Sequence, residues 1–396
     1  MSPKVLMWEH HAWESPIRVG GRAFAERFLA AGWDVAWING PLAPWNLLGG
    51  NDEVARRRSS WSRGGEETRF GIGRLFTYAP LAALPYRPYP VLDRPAVHRH
   101  ALDWTFPPLL RHLSKHGFAR VDLLWLATGS PFLALLDRLP HSRSLYRLSD
   151  DTASFPDTPR SYGALEEEVM GRVDCVLATA ASLAERASRH CRRVLLLPNG
   201  VDCARFRASA QSGAPREPLA GRPRVVYVGA LDGWFDGGVV RALALAFPEA
   251  EFLLAGPIRM DTSWIPPLPN VRLLGPVPPE EVPDLLALCH VGIIPFVPST
   301  LTRAIHPVKL YEYFAAGLPV VAADLDEIRR IGSPARLATG ESQWVEAVRS
   351  ALASPLRKEA LAFASRNDWM TRFEALMGFL GLGEGETPAA LRARVP

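Results

Sequence analysis

Short apolar runs alternate with amphipathic segments along the first half of the chain. Residues 4–8 form an apolar run of strand length, residues 22–31 repeat their apolar positions with a helical period, and residues 34–39 are apolar again. Strand, helix and strand in this order predict a βαβ unit and therefore a parallel sheet. The same alternation predicts further strands at 121–128, 144–148, 175–179 and 193–197.

A second series with the same alternation occupies much of the remaining chain. Its apolar runs predict strands at 224–228, 251–255, 271–274, 291–295 and 319–323, with helices between them. Residues 208–223 separate the two series and are rich in Ala, Gly, Pro and Ser, which is typical of a linker. The pattern therefore predicts an α/β protein with two Rossmann-like domains, 1–207 and 224–365, whose parallel sheets face each other across a ligand cleft.

The composition is that of a globular protein with two or more domains. The 396 residues are 48% hydrophobic and 22% charged. The four cysteines form neither a CxxC pair nor a metal-binding spacing, which favours a reducing cytoplasm. The N-terminus lacks the apolar stretch of a signal peptide, and no apolar run approaches the roughly 20 residues that span a bilayer. We therefore expect a cytoplasmic protein, either free or peripheral on the inner face of the cell membrane.

Arginines are concentrated in the N-terminal half, although the net charge is only +4. The cluster consists of Arg56, Arg57, Arg58, Arg63, Arg69, Arg74, Arg87, Arg94 and Arg99. Within residues 43–95 these arginines alternate with aromatic residues and prolines, and regular periodicity is weak. This mixture suits an anionic membrane surface contacted by residues 56–99, and equally an irregular solvated insertion. Nucleic acid is disfavoured as a partner, because no module that reads bases accompanies the arginines.

One stretch near the end of the second series has the pattern of an anion-binding helix. Pro307 suits the first turn of a helix over 310–316, and Gly317 suits its C-terminal end. The free N–H groups of the first turn, together with Lys309, would attract a phosphate. Glu312 lies three residues later on nearly the same face, where its carboxylate can accept hydrogen bonds from both ribose hydroxyls. An exposed Lys–Glu pair on an ordinary amphipathic helix has the same spacing, so both interpretations stay open.

This stretch resembles the donor-site signature of GT-B fold glycosyltransferases of the family 4 type. The resemblance rests on Pro307-x-Lys309-x-x-Glu312-Tyr313-x-Ala315-x-Gly317-x-Pro319-Val320-Val321-Ala322 and on Pro198-Asn199-Gly200-Val201-Asp202-x-x-x-Phe206. It implies that the lysine contacts the diphosphate of a nucleotide sugar and that the glutamate binds its ribose. It also implies a C-terminal helix, at 366–382, that crosses back to the first domain. Many retaining members carry a second glutamate eight residues before the first, and here that position is Ala304.

The resemblance places further donor contacts around these two residues. Arg303 and Lys309 would share the charge of the phosphates, and His306 would lie behind them or contact a phosphate itself. Gly229 and the loop after it would add backbone donors. The expected donor-binding residues are Gly229, Leu231, Val277, Arg303, His306, Lys309 and Glu312.

Transfer to a hydroxyl also needs a base, and the end of the predicted strand 144–148 supplies two carboxylates. Asp150 and Asp151 follow that strand, at the edge where open parallel sheets bind ligands. Adjacent carboxylates raise each other's proton affinity, which favours base catalysis near neutral pH. His11, after the first strand, is the alternative base. Each of the three also has an ordinary interpretation as a cap or loop residue.

Further patterns resemble the inverting, membrane-associated glucuronosyltransferases of bacterial exopolysaccharide pathways. They are Tyr146-Arg147-x-Ser149-Asp150, the loop from Gly229 to Asp236, and Ala246-Phe247-Pro248-x-x-x-Phe252. In that family the aspartate of the first pattern is the catalytic base, which corresponds to Asp150 here. A histidine after the first strand corresponds to His11.

We therefore expect a glycosyltransferase that moves a sugar from a nucleotide-sugar donor, namely a UDP-sugar, to a lipid-linked or polysaccharide acceptor with inversion. A retaining family 4-like transferase, a UDP-sugar epimerase and a non-catalytic nucleotide-binding protein on the same fold are the alternatives. A nicotinamide dehydrogenase is disfavoured, because the GxGxxG fingerprint is missing. Neither a cofactor nor a metal is expected, and Asp324-Leu325-Asp326 is interpreted as a cap and loop rather than as a metal-binding DxD motif.

Overall fold

The computed structural model of the protein describes residues 2–15, 20–84, 92–127, 132–154, 158–212, 221–265, 268–299, 302, 305–353 and 357–382. The chain divides into two compact units. The first comprises Met1–Pro198 and Phe373–Pro396, and the second comprises Asn199–Arg372. Each is built on a mainly parallel sheet with helices, so the predicted α/β class is confirmed.

The strands described in the first unit are β1 Lys4–Glu9, β2 Asp34–Asn39, β3 Glu66–Phe70, β4 Gly73–Tyr78, β5 Leu81–Ala82, β6 Thr105–Phe106, β7 Val121–Leu126, β8 His141–Leu148, β9 Cys175–Ala178 and β10 Val194–Leu196. Within the described residues the main sheet has eight strands in the order β10-β9-β8-β7-β1-β2-β4-β3. Its neighbours are parallel except for the antiparallel hairpin β3–β4. β5 and β6 pair with each other in an antiparallel manner, and Leu81 of β5 also forms a parallel bridge with Leu42.

The helices described in the first unit are α1 Gly20–Ala30, α2 Asp52–Ser62, α3 Pro95–Arg99, α4 Leu109–Lys115, α5 Phe132–Arg138, α6 Tyr162–Arg172 and α7 Ala181–Ala187. Short 3-10 turns occupy Pro44–Leu47 and Thr152–Ser154. The central strand β7 is buried along its whole length, as expected for a parallel strand covered on both faces. On one face the Phe24 ring of α1 lies 5.2 Å from the ring of Trp125.

Residues 43–95 contain more regular structure than the sequence indicated. α2 has no apolar stripe, and none of its residues is fully buried. The helix is stabilised instead at its N-terminus, where the Asn51 side chain accepts from Val54 N–H at 3.0 Å and Asp52 and Glu53 occupy the first turn. A search for periodic apolar positions misses such a helix. Residues 85–91 lie outside the described part of the insertion.

The strands described in the second unit are β11 Arg224–Val228, β12 Glu251–Ala255, β13 Val271–Gly275, β14 Val291–Ile294, β15 Val320–Ala323 and β16 Arg336–Ala338. They form a parallel sheet in the order β13-β12-β11-β14-β15-β16. The helices are α8 Cys203–Ser212, α9 Gly237–Ala246, α10 Val282–Ala287, α11 Val308–Ala315, α12 Asp326–Arg330, α13 Gly340–Ala353, α14 Arg357–Arg366 and α15 Trp369–Leu380.

The boundary between the units lies earlier than the predicted linker 208–223. Val201 and Phe206 are buried in the core of the second unit, so the segment after Pro198 packs with that unit rather than ending the first. Residues 208–212 continue α8, and residues 213–220 lie outside the described residues. In the described part of the chain, no helix combines the length and the apolar character needed to cross a membrane.

The last helix, α15, is shared between the two units. Its residues up to Arg372 group with the second unit, and those from Phe373 group with the first. In the first unit the Phe373 ring packs on Phe28 of α1 with a centroid distance of 5.0 Å.

Candidate active site

The predicted anion-binding helix is present as α11, within two residues of its predicted bounds. Pro307 is its N-cap, with φ −74° and ψ 113°. At the other end Gly317 adopts φ +72°, a conformation that disfavours a side chain, and Leu318 N–H donates to the Tyr313 carbonyl. Leu310 and Tyr313 are fully buried, so α11 is fixed to the core by one side.

The ammonium group of Lys309, on the first turn of α11, is surrounded by aromatic side chains. Its Nζ donates to Tyr227 Oη at 3.0 Å and lies 4.1 Å from the centre of the Tyr227 ring and 5.0 Å from that of Phe296. Among the described residues Lys309 forms no ion pair. Neutral groups thus fix its position and leave its charge available to an anion.

Gly229, at the end of β11, provides the space for that ammonium group. Its φ is +147°, and a Cβ atom at this position would overlap Lys309 Nζ. Its N–H donates to the Ala255 carbonyl at 2.8 Å, and Leu231 N–H donates to the Pro257 carbonyl at 2.9 Å. These two N–H groups are engaged within the fold, and the assignment of Gly229 and Leu231 to the donor site stays a prediction.

Glu312, one turn after Lys309, is half-buried and has no hydrogen-bond partner among the described residues. Burial raises the pKa of its carboxyl, and the nearby charges of Lys309 and Arg205 oppose that rise. Arg205, on α8, also donates to the Pro279 carbonyl and so connects α8 to the loop that carries Val277. Val277 packs partly buried against the core of this unit. A carboxylate without a protein partner is available to donors from a ligand, such as hydroxyls.

Of the other predicted donor contacts, His306 is a structural residue. It is 6% exposed, its Nδ1 lies 3.2 Å from Glu327 Oε1, and its Nε2 bonds to Tyr311 Oη. Burial lowers the pKa of its imidazole, although Glu327 opposes this. Since both ring nitrogens are engaged, His306 supports α11 from behind and is not a phosphate contact. Arg303 lies outside the described residues.

Of Asp324-Leu325-Asp326, interpreted from the sequence as a cap and loop, Asp324 lies in the loop, and Leu325 is the N-cap of α12 without a side-chain capping bond. Both Asp324 carboxylate oxygens accept from Arg329 at 2.6 Å, and Asp326 is the first residue of α12. In the described part of the chain, no three His, Cys, Asp or Glu side chains converge as metal ligands would.

Asp150 forms no ion pair by direct contact among the described residues, whereas Asp151, the other candidate carboxylate of the first unit, does. Asp150 follows β8, and the residue as a whole is exposed. Nearby protein atoms still desolvate its carboxyl in part, and this desolvation raises the pKa of the carboxyl. The charge of Arg147 and a hydrogen bond from Ser149 oppose the rise. An accessible carboxyl with raised proton affinity has the properties of a general base.

Asp151 belongs instead to a network of buried polar groups. Its carboxylate accepts from Arg186 Nη1 at 2.9 Å, and Arg186 Nη2 donates to Glu166 at 2.6 Å. Glu166 is 1% exposed and also accepts from Tyr146 Oη. The network connects β8, α6 and α7, so we assign Asp151 to structure rather than to catalysis.

His11 faces α2 rather than Asp150. Burial lowers the pKa of its imidazole, Glu53 opposes this, and Arg57 adds to it. Glu53 accepts from Ala12 N–H at 2.7 Å and from Arg57 at 3.1 Å. Neither His11 nor Glu53 is among the groups that shift the pKa of Asp150. His11 therefore fits a structural role better than that of base.

A buried carboxyl behind Asp150 was missed from the sequence. Glu9 ends β1, is 3% exposed, and accepts from Trp125 Nε1 at 2.9 Å. Burial raises its pKa to about 7, while Arg147 and Trp125 oppose the rise. Strand register places Glu9 and Arg147 at one level of the sheet, on either side of the small Ala127. The only sequence signal was a single acid closing an otherwise apolar strand.

Two glycosyltransferase family models match the chain, one in each unit. The model of the glucuronosyltransferase GumK N-terminal domain matches residues 7–179, and that of glycosyl transferases group 1 matches residues 222–354. A Bacillus subtilis protein, TuaH, which is provisionally named a teichuronic acid biosynthesis glycosyltransferase, is 34% identical over 148 residues. That match spans 36% of this chain and 37% of the length of TuaH.

Solved structures share the fold along almost the whole chain. An α,α-trehalose-phosphate synthase (UDP-forming) from Burkholderia vietnamiensis has a TM-score of 0.66 at 16% identity, covering 96% of this chain and 100% of that one. Anabaena HepE in complex with UDP has a TM-score of 0.62 at 16% identity, covering 96% and 99%. The predicted resemblance is therefore confirmed: the chain has the GT-B glycosyltransferase fold, its second unit matches the model of glycosyl transferases group 1, and its first unit matches the model of the GumK N-terminal domain.

Proposed function

We propose that the protein is an inverting glycosyltransferase that moves a sugar from a nucleoside diphosphate to a hydroxyl of a lipid-linked or glycan acceptor. One observation carries the proposal: Lys309 and Glu312 lie one helical turn apart, and neither forms a salt bridge among the described residues. A cation for a diphosphate and a carboxylate for a ribose are what a nucleotide sugar requires.

The chemistry assigns separate tasks to the two units. Asp150 accepts the proton of the acceptor hydroxyl, the hydroxyl oxygen bonds to the anomeric carbon, and the bond from that carbon to the diphosphate breaks. The charge that develops on the leaving diphosphate is stabilised by Lys309 and by the first N–H groups of α11. Attack opposite the leaving group inverts the anomeric configuration. The raised pKa of Asp150 favours this proton transfer near neutral pH.

The relatives support a UDP-linked donor and a glycan acceptor. One similar structure holds UDP, another belongs to a UDP-forming synthase, and TuaH is named for teichuronic acid biosynthesis. The match to a glucuronosyltransferase N-terminal domain makes UDP-glucuronate the first sugar donor to test. We further propose that transfer needs no metal, since the leaving charge has Lys309 and a helix N-terminus to stabilise it.

A donor screen tests this function. Thermal stability is measured with UDP-, GDP- and dTDP-sugars, and a ligand at about 100 times its Kd should add roughly 2.7 kcal/mol to the free energy of unfolding. The stabilising donor is then incubated with lipid-linked acceptors, with and without EDTA, and the anomer of the product is determined. An inverted product in EDTA supports the proposal. A retained anomer, epimerised donor without acceptor, or binding without turnover identifies one of the alternatives.

We also propose that the first unit contacts an anionic membrane surface on the cytoplasmic side. At the turn of the β3–β4 hairpin, Ile72 is 81% exposed and Phe70 is 40% exposed, and the neighbouring Arg69 is also exposed. Apolar side chains beside a cation suit the lipid interface. Several other arginines of the cluster are engaged by protein groups, namely Arg57, Arg58, Arg63, Arg74 and Arg99. The hairpin turn, rather than the whole segment 56–99, is therefore the proposed contact.

A further inference from the structure

Tyr227 joins the cation of α11 to the loop that follows β11. Its ring is fully buried in the core of the second unit. Its hydroxyl accepts from Lys309 Nζ at 3.0 Å and donates to the Ala230 carbonyl at 2.8 Å. The hydroxyl therefore uses both its lone pair and its proton to connect two segments that are about 80 residues apart in sequence.

The same side chain holds the ammonium group in a second way. Lys309 Nζ lies 4.1 Å from the centre of the Tyr227 ring, within the range of a cation–π interaction, and Phe296 provides a second ring at 5.0 Å. Gly229 completes the site, because a Cβ atom there would occupy the place of the ammonium group. The position of Nζ is therefore fixed by a hydroxyl, two rings and the absence of a side chain.

The neutral partners of Lys309 affect how strongly it can bind an anionic ligand. A carboxylate partner would also hold a lysine, but it would compete with an incoming anion for the same charge. Tyr227 fixes the flexible lysine side chain without an ionic bond, and among the described residues Lys309 forms no salt bridge, although the carboxyl of Glu312 feels its charge. An ordered cation binds an anion more tightly than a mobile one, because part of the conformational entropy has been lost before binding.

We propose that Tyr227 is a positioning residue for the donor diphosphate, acting by holding Lys309 over Gly229. The inference rests on the proposed function, since it requires that Lys309 contact the diphosphate. Tyr227 lies outside the motif that carried the resemblance. Its hydroxyl should affect the affinity for the diphosphate and not the affinity for the nucleoside.

The test compares UDP with uridine on wild-type protein and on Tyr227→Phe by titration calorimetry. The variant keeps the ring and loses only the hydroxyl. We expect UDP affinity to fall about three- to tenfold, as for the loss of one hydrogen bond, while uridine affinity stays unchanged. In a Lys309→Met background, Tyr227→Phe should cause no further loss, because the group that it positions is gone.

A matched control is available on α11 itself. Tyr313 is equally buried, and its hydroxyl accepts from Val228 N–H at 2.8 Å without contacting Lys309. Tyr313→Phe should lower thermal stability and leave the ratio of UDP to uridine affinity unchanged. If Tyr227→Phe does not fold, Gly229→Ala provides a second variant, since the added methyl group would overlap Nζ and come within 3.2 Å of the Tyr227 hydroxyl, which disturbs the same hydrogen bond. It too should lower UDP affinity more than uridine affinity.

The outcomes separate this inference from the function on which it rests. An unchanged UDP to uridine ratio in Tyr227→Phe, or an equal further loss in the Lys309→Met background, would overturn the inference while the donor site stands. If wild-type protein binds none of UDP, GDP and dTDP, the proposed function is overturned, and the inference with it.

Discussion

The two units differ in what surrounds their charged side chains. In the first unit the charges compensate one another: Arg186 holds both Asp151 and Glu166. In the second unit Lys309 and Glu312 form no salt bridge among the described residues, and neutral groups hold Lys309.

This difference separates proton transfer from ligand binding. Neighbouring charges and burial set the proton affinity of a carboxyl, and in the first unit they act on Glu9 and Asp150 through the shared Arg147. Charges without protein partners attract a ligand of opposite charge. The first unit is therefore suited to a base and the second to an anionic donor.

The largest expected effect is the loss of the base. Asp150→Asn should lower kcat by about 10²- to 10⁴-fold, the usual contribution of a positioned base. In the wild type, kcat/KM should fall as the pH drops through the raised pKa of Asp150, because protonation removes the base. Initial rates with the donor from the screen, measured between pH 5 and 9, give both results.

Asp151→Asn is the matched control for that variant. It removes one of the two ionic partners of Arg186, and the other partner, Glu166, remains. We therefore expect the free energy of unfolding to fall by about 1 kcal/mol and kcat to stay nearly unchanged. If Asp151→Asn were inactive and Asp150→Asn active, the required carboxylate would be Asp151, and the assignment of Asp150 as base would be wrong.

Glu9 gives the next largest effect, on stability rather than on rate. Its pKa rises from the ordinary 4.5 to about 7 on folding, so the folded state binds the proton more tightly than the unfolded state. This stabilisation is complete below pH 4.5 and is lost as the pH rises through about 7. Glu9→Gln keeps an acceptor for Trp125 and should lose this dependence, which is worth about 3 kcal/mol.

Urea unfolding at pH 5 and pH 8 measures the difference between Glu9→Gln and the wild type. We expect the variant to gain relative stability at the higher pH, while Glu14→Gln, which alters an exposed carboxylate, should follow the wild type at both. A Glu9→Gln variant whose stability changes with pH as the wild type does would show that Glu9 is ionised like an exposed acid.

The smallest expected effect concerns the hairpin turn of the first unit. Replacing Ile72 by Ser should weaken binding to vesicles that contain anionic lipid by about five- to tenfold, since an inserted aliphatic side chain is lost. Leu245→Ser, at a side chain that is 59% exposed on α9 of the second unit, is the control and should leave sedimentation with vesicles unchanged. If both variants weaken vesicle binding equally, or if neither weakens it, the first unit does not make a specific membrane contact through Ile72.

The sequence predicted those features that depend on local pattern. Most strands of both sheets and the helix α11 with its glycine end followed from apolar periodicity and from residues with special backbone preferences, whereas β3, β4 and β16 were not predicted. α2 was missed, because capping rather than an apolar stripe stabilises it.

Pairings between distant segments could not be predicted from one sequence. The contact of Tyr227 with Lys309, the engagement of His306 by Glu327, and the proximity of Glu9 to Arg147 all depend on tertiary packing. For the same reason spacing alone could not distinguish Asp150 from Asp151, whereas the ion pair with Arg186 does.

The central claim is that Lys309 and Glu312 bind the diphosphate and the ribose of one donor. Calorimetric titration of UDP, uridine and 2′-deoxy-UDP into wild-type protein, Lys309→Met and Glu312→Gln tests it most directly. The account predicts that Lys309→Met loses the preference for UDP over uridine, and that Glu312→Gln loses only the preference for UDP over its 2′-deoxy form. If both variants keep both wild-type preferences, these two residues do not form the donor site.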